Sequence, residues 1–435
     1  MVLVVRLQAE RPSEGGLCWH SWEKSQGAQP NGLPRRWQDE PFKRLPSSGD
    51  WHYFNEHVER LLFPPQNGAG SRWICCPKDV HLDFREETGG PVRRARVDLL
   101  ERLTTPLQSK QTYGLIHLSL LPSREEAPDI LQWGRGVSTT FRHGTERFEL
   151  DLVENDRTIS LAEHRPLRAL VGHLFGDPAP SLERSFYTIY MAQCPAEILS
   201  ENEGEAPREW RRALAQRRPV MRPPDHRGSD LDREERQTLP ISTGVDALVL
   251  GRGAVISLES TIGIPYARNF RTYWAESIIF GLLQQYALEE FQQRLADFGG
   301  NISPRIGHLR EDWLKFRNIL WWSQLSSSSE IPQELVTRLR NEQGTERLFN
   351  DLEGDLATYS EYQHQDALAN LQIYGSAIVA FGPLAAIIGL IGASGCLLAI
   401  LLAVAVLVSL VVLLTVHIEI KGWPQSVRRW KDGRT

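Results

Sequence analysis

The feature that most constrains this sequence is an uncharged stretch near its C-terminus. No Asp, Glu, Lys or Arg lies between Ile373 and Val416. As one helix this stretch would measure about 66 Å, roughly twice the thickness of a bilayer core. A break at Gly392–Gly395 divides it into Ile373–Ile391 and 396–416. The pattern predicts two C-terminal transmembrane helices, with a buried hydrophobic hairpin in a protein core as the alternative.

The residues that flank this stretch predict its orientation. The turn at 392–395 has no charge, whereas the tail 417–435 is basic. The tail has five basic residues, Lys421, Arg428, Arg429, Lys431 and Arg434. Because positive charge stays on the cytoplasmic side, both termini are expected in the cytoplasm of a multi-pass protein of the plasma (inner) membrane. The first residues, with Arg6 among them, do not form a signal peptide.

Small residues form a stripe along the first predicted span. Gly375, Gly382 and Gly389 recur at seven-residue spacing, next to Ser376 and Pro383. Small residues on one stripe allow helices to pack closely, and they also leave room for a narrow water-filled path. The stripe therefore fits either helix packing or the lining of a pore.

A long helix is predicted over 331–391, where it would form a stalk that continues into the first span. Its heptad seam is apolar at first and becomes polar towards the uncharged stretch, at Gln363, Asp366 and Asn370. These side chains are either simply solvated or ring a hydrated cation path, since oxygen ligands suit hydrated Mg²⁺.

The rest of the chain predicts an α/β or α+β cytoplasmic domain over 1–264 and an antiparallel helical pair over 265–330. Within the first domain, 10–50 resembles a loose extension and 201–240 a polar insertion, in which an Arg cluster indicates either a solvated helix or a nucleic-acid or headgroup patch. The predicted strands are Val2–Leu7, Val80–Phe84, Leu115–Leu121, Phe148–Val153, Phe186–Tyr190, Ala247–Leu250 and Val255–Leu258, and the predicted helices include Trp51–Leu62 and Pro166–Phe175.

Catalytic motifs are not found in the sequence. It has no GxxxxGK[ST], HExxH or GxSxG pattern, and its five cysteines have no metal-ligand spacing. Gly251-Arg252-Gly253 is predicted to be a hairpin turn, and His81 and Asp83 to share the face of a surface strand. The net charge of −5 gives no case for a nucleic-acid partner. We therefore do not expect an enzyme.

The order of these parts resembles the CorA family of divalent-cation channels, which includes the zinc transporter ZntB. In that family the end of the first span resembles F-x-P-L-T-x-I-x-G-I-Y-G-M-N. The matching positions here are Phe381, Pro383, Leu384, Ile387, Gly389 and Gly392. Ala393 and Ser394 stand where the family has Met and Asn. The motif-level similarity covers roughly residues 330–435.

The resemblance implies a homopentamer that passes divalent cations (Mg²⁺, with Zn²⁺ or Co²⁺ as further substrates) and is regulated by such cations. No covalently bound cofactor is expected. The residues assigned to the ion path are Asp366, Asn370, Ser376, Gly392, Ala393 and Ser394, and those assigned to packing or pore lining in the first span are Gly375, Gly382, Pro383 and Gly389. The alternative function is a ligand-gated membrane effector or receptor on the same scaffold, and a membrane-anchored enzyme is the third and weakest.

Overall fold

The fold is described from a computed structural model of the chain. The described residues are 1–7, 17, 19–21, 54–62, 70–77, 79–86, 92–107, 111–121, 148–154, 157–161, 166–176, 186–195, 198, 205–216, 236–258, 269–297, 305–321, 324–326 and 329–391. Side chains are not described beyond Ser376. The chain divides into two compact units, Met1–Leu352 and Glu353–Thr435.

Most of the first unit is built on one large sheet. Its strands are β1 (Val2–Leu7), β2 (His20–Ser21), β3 (Ser71–Cys75), β4 (Val80–Glu86), β5 (Arg93–Thr104), β6 (Thr112–Leu121), β7 (Phe148–Glu154), β8 (Arg157–Ser160), β9 (Phe186–Gln193), β10 (Thr238–Ser242), β11 (Val245–Leu250) and β12 (Gly253–Leu258). Every strand and both helices predicted above are present, which confirms those predictions, although some of their ends differ. Strands β2, β3, β5, β8 and β10 were not predicted.

The strand order is β10-β11-β12-β9-β1-β6-β5-β4-β7-β8, and every pair is antiparallel except β9 with β12. The sheet branches at β5, because one half of this long strand pairs with β4 and the other half with β3. An irregularity between Val97 and Leu99 separates the two halves. A bulge of this kind bends a strand, which lets one edge of β5 pair with both β3 and β4.

The helices are α1 (Glu56–Leu62), α2 (Pro166–Phe175), α3 (Glu205–Gln216), α4 (Ala275–Asp297), α5 (Arg305–Ile319), α6 (Ile331–Gln343) and α7 (Thr345–Ile391). A π-helical turn, Phe270–Trp274, leads directly into α4. Helix α4 is buried from Ala275 to Leu288, and α6 packs closely against it. A Cβ added at Gly281 of α4 would lie only 2.8 Å from Leu339 Cδ2 of α6.

The sheet has two different faces. The α2 face is mostly apolar: Leu3, Val5, Leu100 and Ile116 belong to one buried cluster with Phe175 and its neighbours on α2. It also buries a charged residue, Arg102, whose Nη2 atom donates to the Phe175 carbonyl oxygen at 3.3 Å. The residues between these positions point to the opposite face, because side chains alternate along a strand. This α4 face contains Arg6, Arg72, Glu101, Tyr113 and His117.

The predicted insertion at 201–240 contains α3, which packs on the sheet. Trp210 is fully buried, and Leu214 and Ala215 are buried in the same cluster. Arg211 Nη1 donates to Asp246 Oδ2 of β11 at 2.6 Å. The prediction of a solvated helix is therefore wrong for α3, because Trp210, Leu214 and Ala215 are buried in the cluster that it forms with the sheet. Most of the extension at 10–50 lies outside the described residues.

The stalk predicted as one helix over 331–391 consists of two helices. Gly344 ends α6 in the left-handed conformation, with φ of 67°, and its N–H is bonded to the Arg340 and Asn341 carbonyls. Glycine takes this conformation at little cost, which makes it the usual residue after a helix. Helix α7 begins at the next residue, Thr345.

The two predicted membrane helices are not found among the described residues. Among the residues described with their side chains, no helix is long and apolar enough to cross a membrane. For the described part of the chain, the predicted fold with two C-terminal transmembrane helices is therefore wrong. The predicted multi-pass membrane localisation is wrong for the same reason. The prediction depended on the absence of charge over 373–416. An apolar helix indicates burial, whether lipid or protein covers it.

The predicted spans differ in how far the structure describes them. The first, Ile373–Ile391, lies within α7, whose earlier turns hold acidic residues such as Glu353 and Glu361. The second, 396–416, and the tail 417–435 lie outside the described residues.

Candidate functional site

A buried ionic cluster joins the sheet to α4. Arg72 of β3, Glu101 of β5 and His117 of β6 lie on the α4 face, and Glu276 lies in the first turn of α4. The side chains of Arg72, Glu101 and Glu276 are 1%, 5% and 5% exposed. Charged groups are rarely buried so completely unless they are paired, so this cluster is the first candidate site.

Arg72 is the centre of the cluster. Its Nη2 atom donates to Glu101 Oε2 and to Glu276 Oε1, both at 2.5 Å. Its Nη1 atom donates to Glu276 Oε2 at 3.2 Å and to the carbonyl oxygen of Leu62, at the end of α1, at 2.9 Å. The planar guanidinium therefore connects β3, β5, α1 and α4 through one side chain.

The two carboxylates respond differently to this environment. Burial raises the pKa of Glu101, but the Arg72 charge and the His117 side chain outweigh it, so the pKa falls to about 2. For Glu276, burial outweighs the attraction of Arg72, and its pKa is raised above the usual 4.5. Two carboxyl groups on one guanidinium therefore form a site in which one acid ionises more readily than usual and the other less readily.

Two glutamines connect α4 to the junction of α6 and α7. Gln284 Nε2 donates to the Leu320 carbonyl oxygen at 2.6 Å, and its Oε1 accepts from Arg340 Nε of α6 at 2.9 Å. Gln285 Oε1 accepts from Thr345 Oγ1, the first residue of α7, at 2.7 Å. All three hydrogen bonds are buried, so each leaves a buried polar group unpaired if it breaks.

An aromatic stack supports the same junction. Trp321 and Phe349 lie nearly parallel with ring centroids 4.2 Å apart, and Trp313 stacks on Phe349 at 5.0 Å. The Arg340 guanidinium carbon lies 4.5 Å from the Trp321 ring centroid, within cation–π distance. Burial lowers the pKa of Arg340 to about 10, against the weaker pull of Glu346. We call Gln284, Gln285, Trp321, Arg340, Thr345 and Phe349 the junction clamp.

A third polar group lies near the C-terminal end of α4. Arg6 Nη2 donates to Glu290 Oε2 at 2.8 Å, and Gln111 Nε2 donates to the same oxygen. Tyr113 donates to Gln111 Oε1, and its ring stacks on Tyr286 of α4 with centroids 5.6 Å apart. Polar contacts therefore hold α4 on the sheet at both of its ends.

The structure leaves most of the predicted ion-path residues undescribed. Asp366 and Asn370 lie on α7, as do Gly382, Pro383 and Gly389, but their surroundings are outside the described part. Ser376 is exposed and its Oγ donates to the Ile373 carbonyl oxygen at 2.8 Å. Gly375 has no atom within 4 Å of where a Cβ would lie. Gly392, Ala393 and Ser394 lie outside the described residues.

Sequence reasoning missed the ionic cluster altogether. Arg72, Glu101 and Glu276 are 29 and 175 residues apart along the chain, as their numbers show. The local signal was no more than a charged residue next to apolar or small residues, as in Leu99-Leu100-Glu101 and Ala275-Glu276-Ser277. Within the described residues, no group of three or more His, Cys, Asp or Glu side chains is placed to hold a metal ion.

Comparisons with protein-family models, with curated proteins and with solved structures find no match to this chain. The CorA resemblance therefore stays a prediction.

Proposed function

We propose that this chain is a non-catalytic coupling protein, in which the sheet and α4 form a sensing body and α7 is the element that the body controls. The observation that carries the proposal is that one buried helix, α4, holds both the ionic cluster and the partners of the junction clamp. Glu276 binds the sheet, and Gln284 and Gln285 bind α6 and α7.

The contacts favour transmission along α4 for a physical reason. Glu276 and Gln284 are separated by two helical turns, about 12 Å at 1.5 Å per residue. A helix packed over this length moves largely as one body, so a displacement at Glu276 is carried to Gln284 and Gln285. At that end Gln284 and Gln285 are hydrogen-bonded to buried partners, so a displacement of α4 stretches these hydrogen bonds.

The π-helical turn Phe270–Trp274 gives this arrangement a place where a change can begin. Turns of this type are rare and often lie at functional sites. The turn ends two residues before Glu276, and Ser277 Oγ donates back to the Tyr273 carbonyl oxygen at 2.6 Å. Conversion of such a turn to α-helix shifts the register of the following helix, which is a discrete change of the kind a coupling element needs.

Amide hydrogen exchange on the full chain tests the proposal. In R72K the charge stays, but the fork that holds two carboxylates and the Leu62 carbonyl is lost. We expect exchange at residues 345–352, the first turns of α7, to rise about tenfold, equivalent to about 1.4 kcal/mol of local stability. Exchange in β7, which pairs with β4 and β8, serves as the internal reference.

The matched control is R94K on the same sheet. Arg94 makes a two-pronged contact with Asp83, with Nε and Nη2 each 2.7 Å from a carboxylate oxygen, but its side chain is 51% exposed. We expect no change at 345–352 in R94K. The proposal fails if R72K loosens the start of α4 and leaves exchange at 345–352 unchanged.

Passage of divalent cations by a CorA-like homopentamer stays a prediction that no observation here bears on. The described residues give it no support, so it is not part of this proposal.

A further inference from the structure

The ionic cluster places two carboxyl groups on one guanidinium. Arg72 brings one positive charge, whereas Glu101 and Glu276 bring two carboxyl groups to the same Nη2 atom, each at 2.5 Å. With both carboxylates ionised, the guanidinium and the two carboxylates bound to it have a combined charge of −1. An uncompensated charge in a site closed to water is costly, and a protein usually removes it by binding a proton.

We propose that this cluster is a proton-operated latch, in which the Glu276 carboxyl is protonated while α4 is docked on the sheet and loses the proton to solvent as the pH rises. The release breaks one O–H bond and leaves two carboxylates facing one guanidinium. Their repulsion then weakens the contact between α4 and β5. This inference goes beyond the proposed function; only its consequence for α7 rests on that function.

The groups around Glu276 assign the proton to this carboxyl. The charged or titratable groups that face it are Arg72 from β3, Glu101 from β5 and His117 from β6, and α1 contributes the Leu62 carbonyl. On the other side of α4, helix α6 brings Leu339 and Val336 to Gly281. Glu101 is the acid that stays ionised, because Arg72 and His117 both act on it and hold its pKa near 2. Glu276 Oε2 has the longer contact with Arg72, 3.2 Å, and is the oxygen available for the proton.

The direction of the pH effect follows from the two shifts. Glu276 has a folded pKa above its unfolded value, so its contribution to stability is complete at low pH and is lost as the pH rises through the folded pKa. Glu101 has a lowered folded pKa, so its contribution is present above pH 4.5 and is lost as the pH falls towards 2. The latch is therefore strongest at mildly acidic pH.

Infrared spectroscopy of the full chain tests the protonation directly. We expect the difference spectrum between wild type and E276Q, at mildly acidic pH, to contain the C=O stretch of a protonated carboxyl, and this band to titrate away as the pH rises. The titration is followed in the same difference spectrum, because the other carboxyl groups of the chain absorb in the same region and cancel there. A spectrum with no such band at any pH above 4.5, where Glu101 is ionised, overturns the proposal.

Chemical unfolding across the same pH range gives a second, independent result. While Glu276 titrates, the folding equilibrium constant of wild type should fall by up to about tenfold per pH unit. E276Q keeps the shape of the protonated acid and should lose this dependence. The matched control is E290Q, on the same helix and bound to Arg6, which should keep it.

The competing location for the proton is His117, whose Nε2 lies 3.5 Å from Glu101 Oε2. If H117Q removes the pH dependence and E276Q keeps it, the latch proposal is overturned. Exchange at 345–352, measured at several pH values and corrected for the intrinsic rate, separates the two proposals. If the band and the pH dependence are present but exchange there does not follow them, the latch stands and the coupling function fails.

Discussion

The two faces of the sheet bury different kinds of side chain. On the α2 face, Leu100, Ile116 and Phe175 pack as apolar side chains, and the buried charged residue Arg102 donates to a backbone carbonyl of α2. On the α4 face, the same strands bury Arg72, Glu101 and Tyr113, each of which needs a specific partner. The α2 face therefore provides stability that tolerates small displacements, whereas the α4 face holds only when α4 is in register.

This difference explains why control would be located on one face only. An apolar contact has almost the same energy after a shift of a fraction of an ångström, whereas a buried charge pair loses much of its energy when one hydrogen bond breaks. We also expect the α4 face to respond to pH, because the pKa of Glu276 is raised and that of Glu101 is lowered. The predictions below test this contrast.

The largest effect is expected for R72M. It leaves two buried carboxylates without their cation, and we expect a loss of about 3–5 kcal/mol in the free energy of unfolding at neutral pH. The loss should shrink as the pH falls, because protonation removes the unpaired charges. Urea denaturation at several pH values measures both results, and a loss that does not vary with pH would contradict the contrast.

A similar loss without pH dependence is expected on the other face. L100A removes a buried side chain in the apolar cluster, at a cost of about 3 kcal/mol from lost burial and the cavity left behind. The same urea series should give equal losses at every pH where wild type is folded. A pH-dependent loss in L100A would show that the two faces do not act separately.

The contrast is sharpened by making the α4 face resemble the α2 face. In the triple variant R72M/E101L/E276L, apolar side chains of similar size replace the ionic cluster. We expect stability to be unchanged or to rise by about 1–4 kcal/mol, with the pH dependence lost. Thermal unfolding at two pH values measures this, with E276Q as the single-site reference. A triple variant less stable than R72M would contradict the account.

The smallest effect is expected for R94Q, which breaks an exposed pair with Asp83. Exposed ion pairs contribute little, and we expect a change of about 0.5 kcal/mol that decreases further in high salt. The measurement is the urea midpoint at low and high salt. A loss as large as that of R72M would mean that burial is not what distinguishes the two arginines.

The sequence predicted the apolar parts of this fold and missed the polar ones for a common reason. Strands such as Val2–Leu7 and Val255–Leu258 are confirmed because their apolar residues occur in short, dense runs. Strand β5, Arg93–Thr104, was missed because its arginines and acids are typical of a surface segment. Only pairing with β3 and β6 shows that Arg102 and Glu101 are buried.

The candidate site is harder still to predict. Arg72, Glu101 and Glu276 belong to three elements far apart in the chain, and no periodicity connects them. At the uncharged stretch 373–416 the local signal was strong instead of weak, and it led to the wrong prediction of a membrane fold. A local pattern predicts whether a residue is buried, and tertiary contacts decide what covers it.

The central claim is that α4 couples the ionic cluster to the junction clamp, and a double-mutant cycle tests it most directly. The pair is R72K, which loosens the cluster, and Q284L, which removes the bonds to Arg340 and to the Leu320 carbonyl. We predict that their effects on the free energy of unfolding differ from additivity by at least about 0.5 kcal/mol, although the two residues share no contact. Additive effects, within about 0.3 kcal/mol, would contradict the account.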